Sequence, residues 1–410
     1  MKRFLLLLIL IYSPAVNAQL GGDSTKVYEM TTENHIFVGA RAAGMGGAQI
    51  AAGEDGSSVW YNPALLTRIR RMEISGALTH QRFFNQTIFD GAESNEAQLN
   101  KTRLSSFWAV FPVPTEQGGL SFAVAANRVN GFDRIFRFED RTGWLQNPSG
   151  DGFGGGEDHL GSLWAYSLGC GIEVSRYVSV GVAVESYDGE DKSTYFDDEV
   201  YNNSLYSYQD QLTDKYSGYS GKIGFAYSAN SSFHFGATIK LPTYLTVEQE
   251  YFEIDDFYPS YGRYKYTLPF GFGAGVLYSY RRLLLAADIN YCDYTQLEYR
   301  SGLNSVDALR ARDAYKEVIA VSLGAEYLFP AQGLTLRAGY CHDPIPYTYF
   351  PVDDDLDIIT CGFSYLFDRS LKLDVALNLL SWSRSNPGLF TGTKEDYHAQ
   401  RVYVGFTYRM

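Results

Sequence analysis

The feature that most constrains this chain is a two-residue alternation of apolar and polar side chains, repeated in short runs along most of its length. Phe233, Phe235, Ala237, Ile239 and Leu241 alternate with His234, Gly236, Thr238 and Lys240. The same rhythm runs through Val178, Val180, Val182 and Val184, and through Leu371, Leu373, Val375, Leu377 and Leu379. Period two is the period of a strand, whose successive side chains point to opposite faces. A chain made almost wholly of such runs, joined alternately by tight and long connections, predicts an antiparallel transmembrane β-barrel with lipid on one face and a lumen on the other.

The first residues predict the route to such a membrane. Lys2 and Arg3 precede an apolar stretch over 4–12, and Val16-Asn17-Ala18 supplies small residues for cleavage, so 1–18 reads as a secretory signal peptide. The apolar stretch is far short of the ~20 residues that a helical span needs. The formal charge is −13, which becomes −15 when Lys2 and Arg3 are removed, and it excludes a nucleic-acid partner, which calls for a clustered basic face. The carboxylates at 190–191, 197–199, 255–256 and 353–355 read as solvated loop tips. Bridging by divalent cations to lipopolysaccharide is the sharper alternative. The 33 Tyr and 26 Phe would supply the aromatic girdles at the two interfaces of the bilayer.

Residues 19–70 lack the alternation, are rich in Gly and Ala, and read as a plug inside the lumen; the barrel occupies 71–410. About fourteen strands are expected there, from 71–83 to 397–409, with single uninterrupted strands at 160–174, 177–187, 218–228, 231–250, 263–280 and 282–298. Short connections follow every even strand and long ones every odd strand. Bacterial barrels keep short turns in the periplasm, which places both termini there. Of the four cysteines, Cys341 and Cys361 lie symmetrically about a connection but share faces with different neighbours, which argues against a bridge. No Cys/His spacing resembles a metal site, no nucleophile elbow or HExxH motif is present, and no cofactor or enzymatic activity is implied.

The segment Gly39-Ala40-Arg41-Ala42-Ala43-Gly44-Met45-Gly46-Gly47-Ala48, followed by Trp60-Tyr61-Asn62-Pro63-Ala64, resembles the N-terminal hatch of the FadL/OmpP1/TodX family of outer-membrane hydrophobic-compound transporters. The resemblance implies a plug whose gate involves Gly44, Gly46, Gly47, Asn62, Pro63 and Ala64, and a third strand kinked inward to open the wall, here at Asn127, Asn130 and Gly131. The third-strand connection carries Phe132, Ile135, Phe136, Phe138, Trp144 and Leu145, expected to form a hydrophobic ligand groove at the extracellular mouth. Asn62-Pro63-Ala64 is expected to touch the third strand near 127–131. The implied cargo is a small hydrophobic molecule, long-chain fatty acids or similar, released sideways into lipid. A PorV-like role, as an outer-membrane component or partner of a protein secretion system, remains open beside it. The last strand, with Val402, Val404, Phe406 and Tyr408 on one face, resembles the signal read by the barrel assembly machinery, although Met410 stands where Phe is usual. Barrel assembly machinery, outer-membrane lipid and lipopolysaccharide are therefore the expected partners.

Overall fold

The computed structural model describes residues 35–89, 95–140, 152–201, 204–253, 259–302, 315–346, 348, 355–386 and 393–410. The signal peptide and the start of the plug lie outside the described residues. Eighteen strand segments, β1 (Glu73–Phe89) to β18 (Thr393–Arg409), form one antiparallel sheet that closes on itself where β1 pairs β18 from Glu73↔Arg409 to Phe89↔Thr393. Closure pairs the first stave with the last, so the sheet has no terminal edge strand, as a strand protein in lipid requires.

Four staves of the barrel are each built of two segments, so the eighteen make fourteen staves. Stave 3 is β3 (Leu120–Gly131) with β4 (Arg134–Asp140), and stave 7 is β8 (Phe233–Lys240) with β9 (Thr243–Glu253). Stave 8 is β10 (Ser260–Leu268) with β11 (Gly271–Tyr280), and stave 9 is β12 (Leu283–Asp293) with β13 (Glu298–Ser301). The remaining staves are the single strands β1, β2 (Asn95–Val113), β5 (Gly152–Ser175), β6 (Val178–Tyr201), β7 (Ser204–Ser228), β14 (Glu317–Phe329), β15 (Leu334–Asp343), β16 (Leu356–Leu366), β17 (Leu371–Asn386) and β18.

The alternation is realised as read. Phe233, Phe235, Ala237 and Ile239 face outward and are exposed, while Gly236 and Thr238 face inward and are buried. The short connections all lie at one end, where their own side chains close them. Ser175 Oγ accepts from the backbone N–H of Tyr177 and Val178, and Asn230 Oδ1 from Ser232 and Phe233. Arg281 takes φ 56° in the two-residue turn after β11. Met410 N–H donates to the Met72 carbonyl at that same end.

Strand bounds differ most at staves 4 to 6. The strands expected at 160–174, 177–187 and 218–228 are 24, 24 and 25 residues long. At about 3.3 Å per residue they reach about 80 Å, far beyond the 9–11 residues needed to cross a bilayer. Above the membrane the outer face is polar, so the lipid-facing pattern that marks a strand in the sequence stops while the ladder continues. The carboxylates at 190–191 and 197–199 consequently sit in strand β6 and not at a loop tip. Asp191 is fully buried against His159 Nδ1 at 3.2 Å. The strands expected to be continuous at 231–250, 263–280 and 282–298 are each broken. All four cysteines are free, and Cys341 (buried) and Cys361 (exposed) pair with Ile358 and Ala338 in the ladder.

Candidate functional site: the plugged lumen and the break in its wall

Within the barrel, residues 36–69 are almost entirely buried. They form α1 (Ala40–Gly44), α2 (Ser58–Tyr61) and a 3-10 turn (Pro63–Arg68), each too short to stand alone and therefore held by the wall. Gly46 shows how closely the two meet. It takes φ 60°, its N–H donates to Thr360 Oγ1 at 3.0 Å, and a Cβ there would lie 2.6 Å from the backbone N and O of Tyr340. Gly44 lies less tightly on β16, where an added Cβ would sit in ordinary contact with the Gly362 Cα at 3.5 Å, while Gly47 (φ 80°) lies against the Phe37 ring.

The plug is fastened by polar anchors. Asp288 of β12 accepts from the backbone N–H of Gln49 and Ile50 at 2.5 and 2.7 Å. Glu73 Oε1 accepts from Gly56 N–H at 2.9 Å and from Trp108 Nε1 at 3.0 Å, while its Oε2 accepts from Arg409. Arg41, buried, donates to Gln49 Oε1 and to the Ala52 carbonyl, and lies 3.3 Å from Glu326 of β14. Nothing in the spacing of these residues marks them as anchors. Asp288 and Glu326 simply occupy inward positions of apolar strands, which is the one signal that could have pointed to them.

Asn62 heads the 3-10 turn. Its Oδ1 accepts from Ala64 N–H at 3.1 Å, and its Nδ2 donates to the Ile50 carbonyl at 2.7 Å and to the Phe225 carbonyl of β7 at 3.0 Å. Pro63 and Ala64 lie on Gly171, Gly181 and Gly224, where any Cβ would come within 2.6 Å of them or of Asn62. The motif therefore meets staves 4 to 6 and not residues 127–131 of stave 3, as the sequence reading expected. The reason is steric: these three inward glycines leave room into which a rigid Asn-Pro corner sinks.

Near residues 130–131, stave 3 is touched by a different part of the plug. His35 forms an isolated antiparallel bridge with Asn130, and Ile36 Cδ1 abuts Gly131. The wall itself is interrupted there. β2 and β3 pair from Val113↔Leu120 up to Ser106↔Asn127 and no further. Beyond Asn127, β3 continues on β5 alone, through an irregular register between Arg128 and Asn130, and β4 pairs only β5. β4 has swung into the lumen, since Arg134 donates to Tyr397 Oη at 3.0 Å and approaches Glu395 of β18 at 3.5 Å. Across the resulting gap Arg103 of β2 forms an ion pair with Asp133. Asn127 is wholly buried beside Ser105 and Ser106.

Of the residues expected to line an open groove after this break, the described ones turn inward. Phe132 is 1% exposed and stacks on Tyr216 with ring centroids 5.3 Å apart. Phe136 is 6% exposed, and Ile135 packs on a separate cluster that includes Phe83 and Trp382. These groups turn inward with the displaced strand. Phe138 lies in β4 with its side chain outside the described residues, and Trp144 and Leu145 lie outside them altogether.

A cavity of about 330 Å³ lies between plug and wall, lined by Ile36, Ile50, Trp60, Val129, Leu245 and Val318 among others. That is at the lower end of the ~300–1,000 Å³ typical of small-molecule sites. Val129 and Asn130 belong both to this cavity and to the broken stave, so the two adjoin. Two cations sit in its lining: Lys222 Nζ lies 4.3 Å and Lys240 Nζ 5.8 Å from the Trp60 ring. Lys222 also donates to the Trp60 carbonyl and lies 3.4 Å from Glu185. The sequence reading singled out neither lysine. Among the described residues no group of His, Cys, Asp and Glu has the arrangement of a metal site.

Residues 217–397 match the family of outer membrane protein transport proteins described as OMPP1/FadL/TodX. No curated protein matches the chain in sequence. The fold is shared with a FadL homologue of Pseudomonas aeruginosa (13% identity, TM-score 0.66, 92% of this chain and 99% of that one). It is also similar to the P. putida toluene transporter TodX (13%, 0.63, 92% and 99%) and to the Ralstonia pickettii toluene transporter TbuX (14%, 0.58, 92% and 99%). No helix among the described residues is long and apolar enough to cross a membrane, and this architecture crosses with strands.

Proposed function

We propose, from the premise that this chain is a FadL-type outer-membrane barrel related over residues 217–397 to the OMPP1/FadL/TodX transport proteins, that it passes small hydrophobic molecules sideways into the membrane. The observation that carries this reading is the end of β2–β3 pairing at Ser106↔Asn127 beside a mainly apolar cavity bordered by Val129 and Asn130. A molecule in the cavity is held by apolar burial, worth roughly 0.8 kcal/mol per CH₂, and needs no energy source to leave for a lipid phase of equal polarity. The channels of similar fold include toluene transporters and a FadL homologue. By this reading fatty acids and monoaromatics are the cargo classes to test first.

In the same reading the short-turn end, which holds Met72 and Met410, faces the periplasm, and lipopolysaccharide surrounds the long staves 4 to 6. The plug residues Gly44, Gly46, Gly47, Asn62, Pro63 and Ala64 act as the gate to the lumen below the cavity, and Asn127, Asn130 and Gly131 form the lateral exit. Uptake of labelled fatty acids and aromatics by a deletion strain, with and without the gene restored, tests the proposal. A loss of uptake that complementation repairs is expected. Equal uptake across the panel would overturn it.

A further inference from the structure

The wall is interrupted a second time, across three neighbouring staves. Stave 7 breaks between Lys240 and Thr243, stave 8 between Leu268 and Gly271, and stave 9 between Asp293 and Glu298, where a 3-10 turn (Tyr294–Gln296) intervenes. The registers bring these breaks to one level. Gly271 pairs with Lys240 on one side and Cys292 on the other, while Leu268 pairs with Thr243 and Thr267 with Glu298. Pro242 and Pro269 stand inside the breaks of staves 7 and 8, and neither has an N–H to give a ladder. Interior strands of a sheet exclude proline, and Pro242 and Pro269, facing each other in an unshifted register, take two residues of each stave out of the ladder between staves 7 and 8, while the Leu241 N–H still donates to the Gly221 carbonyl of β7.

The level is informative. At and immediately below the breaks the outward residues are apolar and exposed, Phe270 within the break of stave 8 and Ile239, Phe272 and Ile289 below. Above, the outer face carries ion pairs, Arg300–Glu298 at 3.4 Å beside the break and Arg263–Glu248 at 3.5 Å five residues further along β9 and β10. The breaks thus fall at the rim of the apolar belt, where acyl chains give way to head groups. Behind them lies the cavity already described, whose lining takes Thr243, Leu268 and Pro269 from one lip and Lys240, Gly271 and Cys292 from the other. Lys240 has no carboxylate within salt-bridge distance among the described residues, and its ammonium lies over the Trp60 ring.

We propose that this break is a second lateral portal, through which an anionic single-chain amphiphile of the outer leaflet slides its tail into the cavity and seats its head group at Lys240. The proposal rests on the transport reading for its biological purpose, but the site itself is a matter of binding. A head group entering at the rim meets a cation at the depth where its charge would otherwise leave water unpaired. The apolar lining toward Ile36 and Val129 takes the chain. The cavity then has an entrance at staves 7 to 9 and an exit at stave 3.

The test uses the full-length protein in phosphatidylcholine vesicles and two probes, an α-brominated dodecanoate and a brominated dodecane. Their quenching of Trp60 is isolated by subtracting the Trp60→Phe variant. Gly271 faces the cavity with nothing nearer to an added Cβ than Lys240 Cβ at 3.5 Å, so Gly271→Phe narrows the portal without straining the ladder. It should slow the onset of quenching by lipid-dissolved bromododecanoate about tenfold. Lys240→Met should cut the preference for the acid over the alkane about tenfold, the weight of one charge-assisted contact. Both variants are first checked for the heat-modifiable migration of a folded barrel. An unchanged acid preference in Lys240→Met, or an absence of Trp60 quenching in the wild type, would overturn the proposal, and an unchanged onset in Gly271→Phe would reduce the break to a structural feature. Quenching that behaves as expected beside unimpaired uptake in the deletion strain would remove the transport reading and leave the portal standing.

Discussion

The amide Nδ2 of Asn62 donates to the Phe225 carbonyl of β7 at 3.0 Å, and so joins the rigid corner of the plug to the wall. The same nitrogen holds the Ile50 carbonyl at 2.7 Å, which places two turns of the plug and one stave on a single side chain. Asn62→Ala removes the donor and leaves the two carbonyls and the Ala64 N–H without it, at about 1–3 kcal/mol per buried group stranded. The barrel should still assemble and migrate heat-modifiably, while the plug becomes cleavable by protease added to the purified protein. A plug as resistant as the wild type's would contradict the role given to Asn62.

Asp288 should matter through the oxygen it presents to the plug. That oxygen receives two backbone N–H groups at 2.5 and 2.7 Å, and an intramolecular hydrogen bond contributes about 0.5–1.5 kcal/mol. Asp288→Ala is expected to speed amide exchange at Gln49 and Ile50 by at least tenfold, with Asp288→Asn falling between the two because an amide oxygen still accepts. Equal exchange in all three proteins would show that the wall does not hold this turn.

Gly46 tests the fit of plug to wall. Any side chain there meets both the left-handed backbone, which costs about 1–2 kcal/mol for a non-glycine residue, and the Tyr340 backbone at 2.6 Å. Gly46→Ala should therefore unseat the plug and raise single-channel conductance in planar bilayers. Conductance at the wild-type level would mean that the plug accommodates the methyl by moving elsewhere.

The turn after β16 carries a pH dependence whose sign is fixed. Asp368 Oδ1 accepts from the N–H groups of Ser370 and Leu371 at 2.6 and 2.8 Å, and these donors hold its carboxyl below the usual range. A depressed folded pKa stabilises the turn above the ordinary carboxylate value and loses that contribution as pH falls through the lower, folded value. Amide exchange at Ser370 and Leu371 should accelerate only below about pH 4, and Asp368→Ala should abolish the dependence. A transition near neutrality would contradict it.

The period-two runs made the barrel and its fourteen staves legible, because lipid on one face forces apolar residues onto every second position. What the pattern could not carry was everything the lumen decides. Staves 4 to 6 continue above the membrane, where the outer face turns polar and the lipid signal ends. Pro242 and Pro269 were absorbed into continuous strands, although each removes a ladder N–H and marks a break. The Gly-rich run and Asn62-Pro63-Ala64 identified a plug, but their partners are inward glycines at 171, 181, 224 and 339, visible only once register is known. The apolar groups at 132, 135 and 136 were read as a surface groove, whereas Phe132 and Phe136 are buried and Ile135 is half-buried beside the inward-swung β4.

The account stands or falls on whether hydrophobic cargo occupies the lumen cavity. A crystal structure of the full-length protein grown with a brominated fatty acid would show this directly by the anomalous signal of bromine. The account predicts a peak within the cavity bounded by Ile36, Ile50, Trp60 and Leu245. Bromine found only on the outer, lipid-facing surface, with the cavity unchanged at saturating ligand, would contradict it.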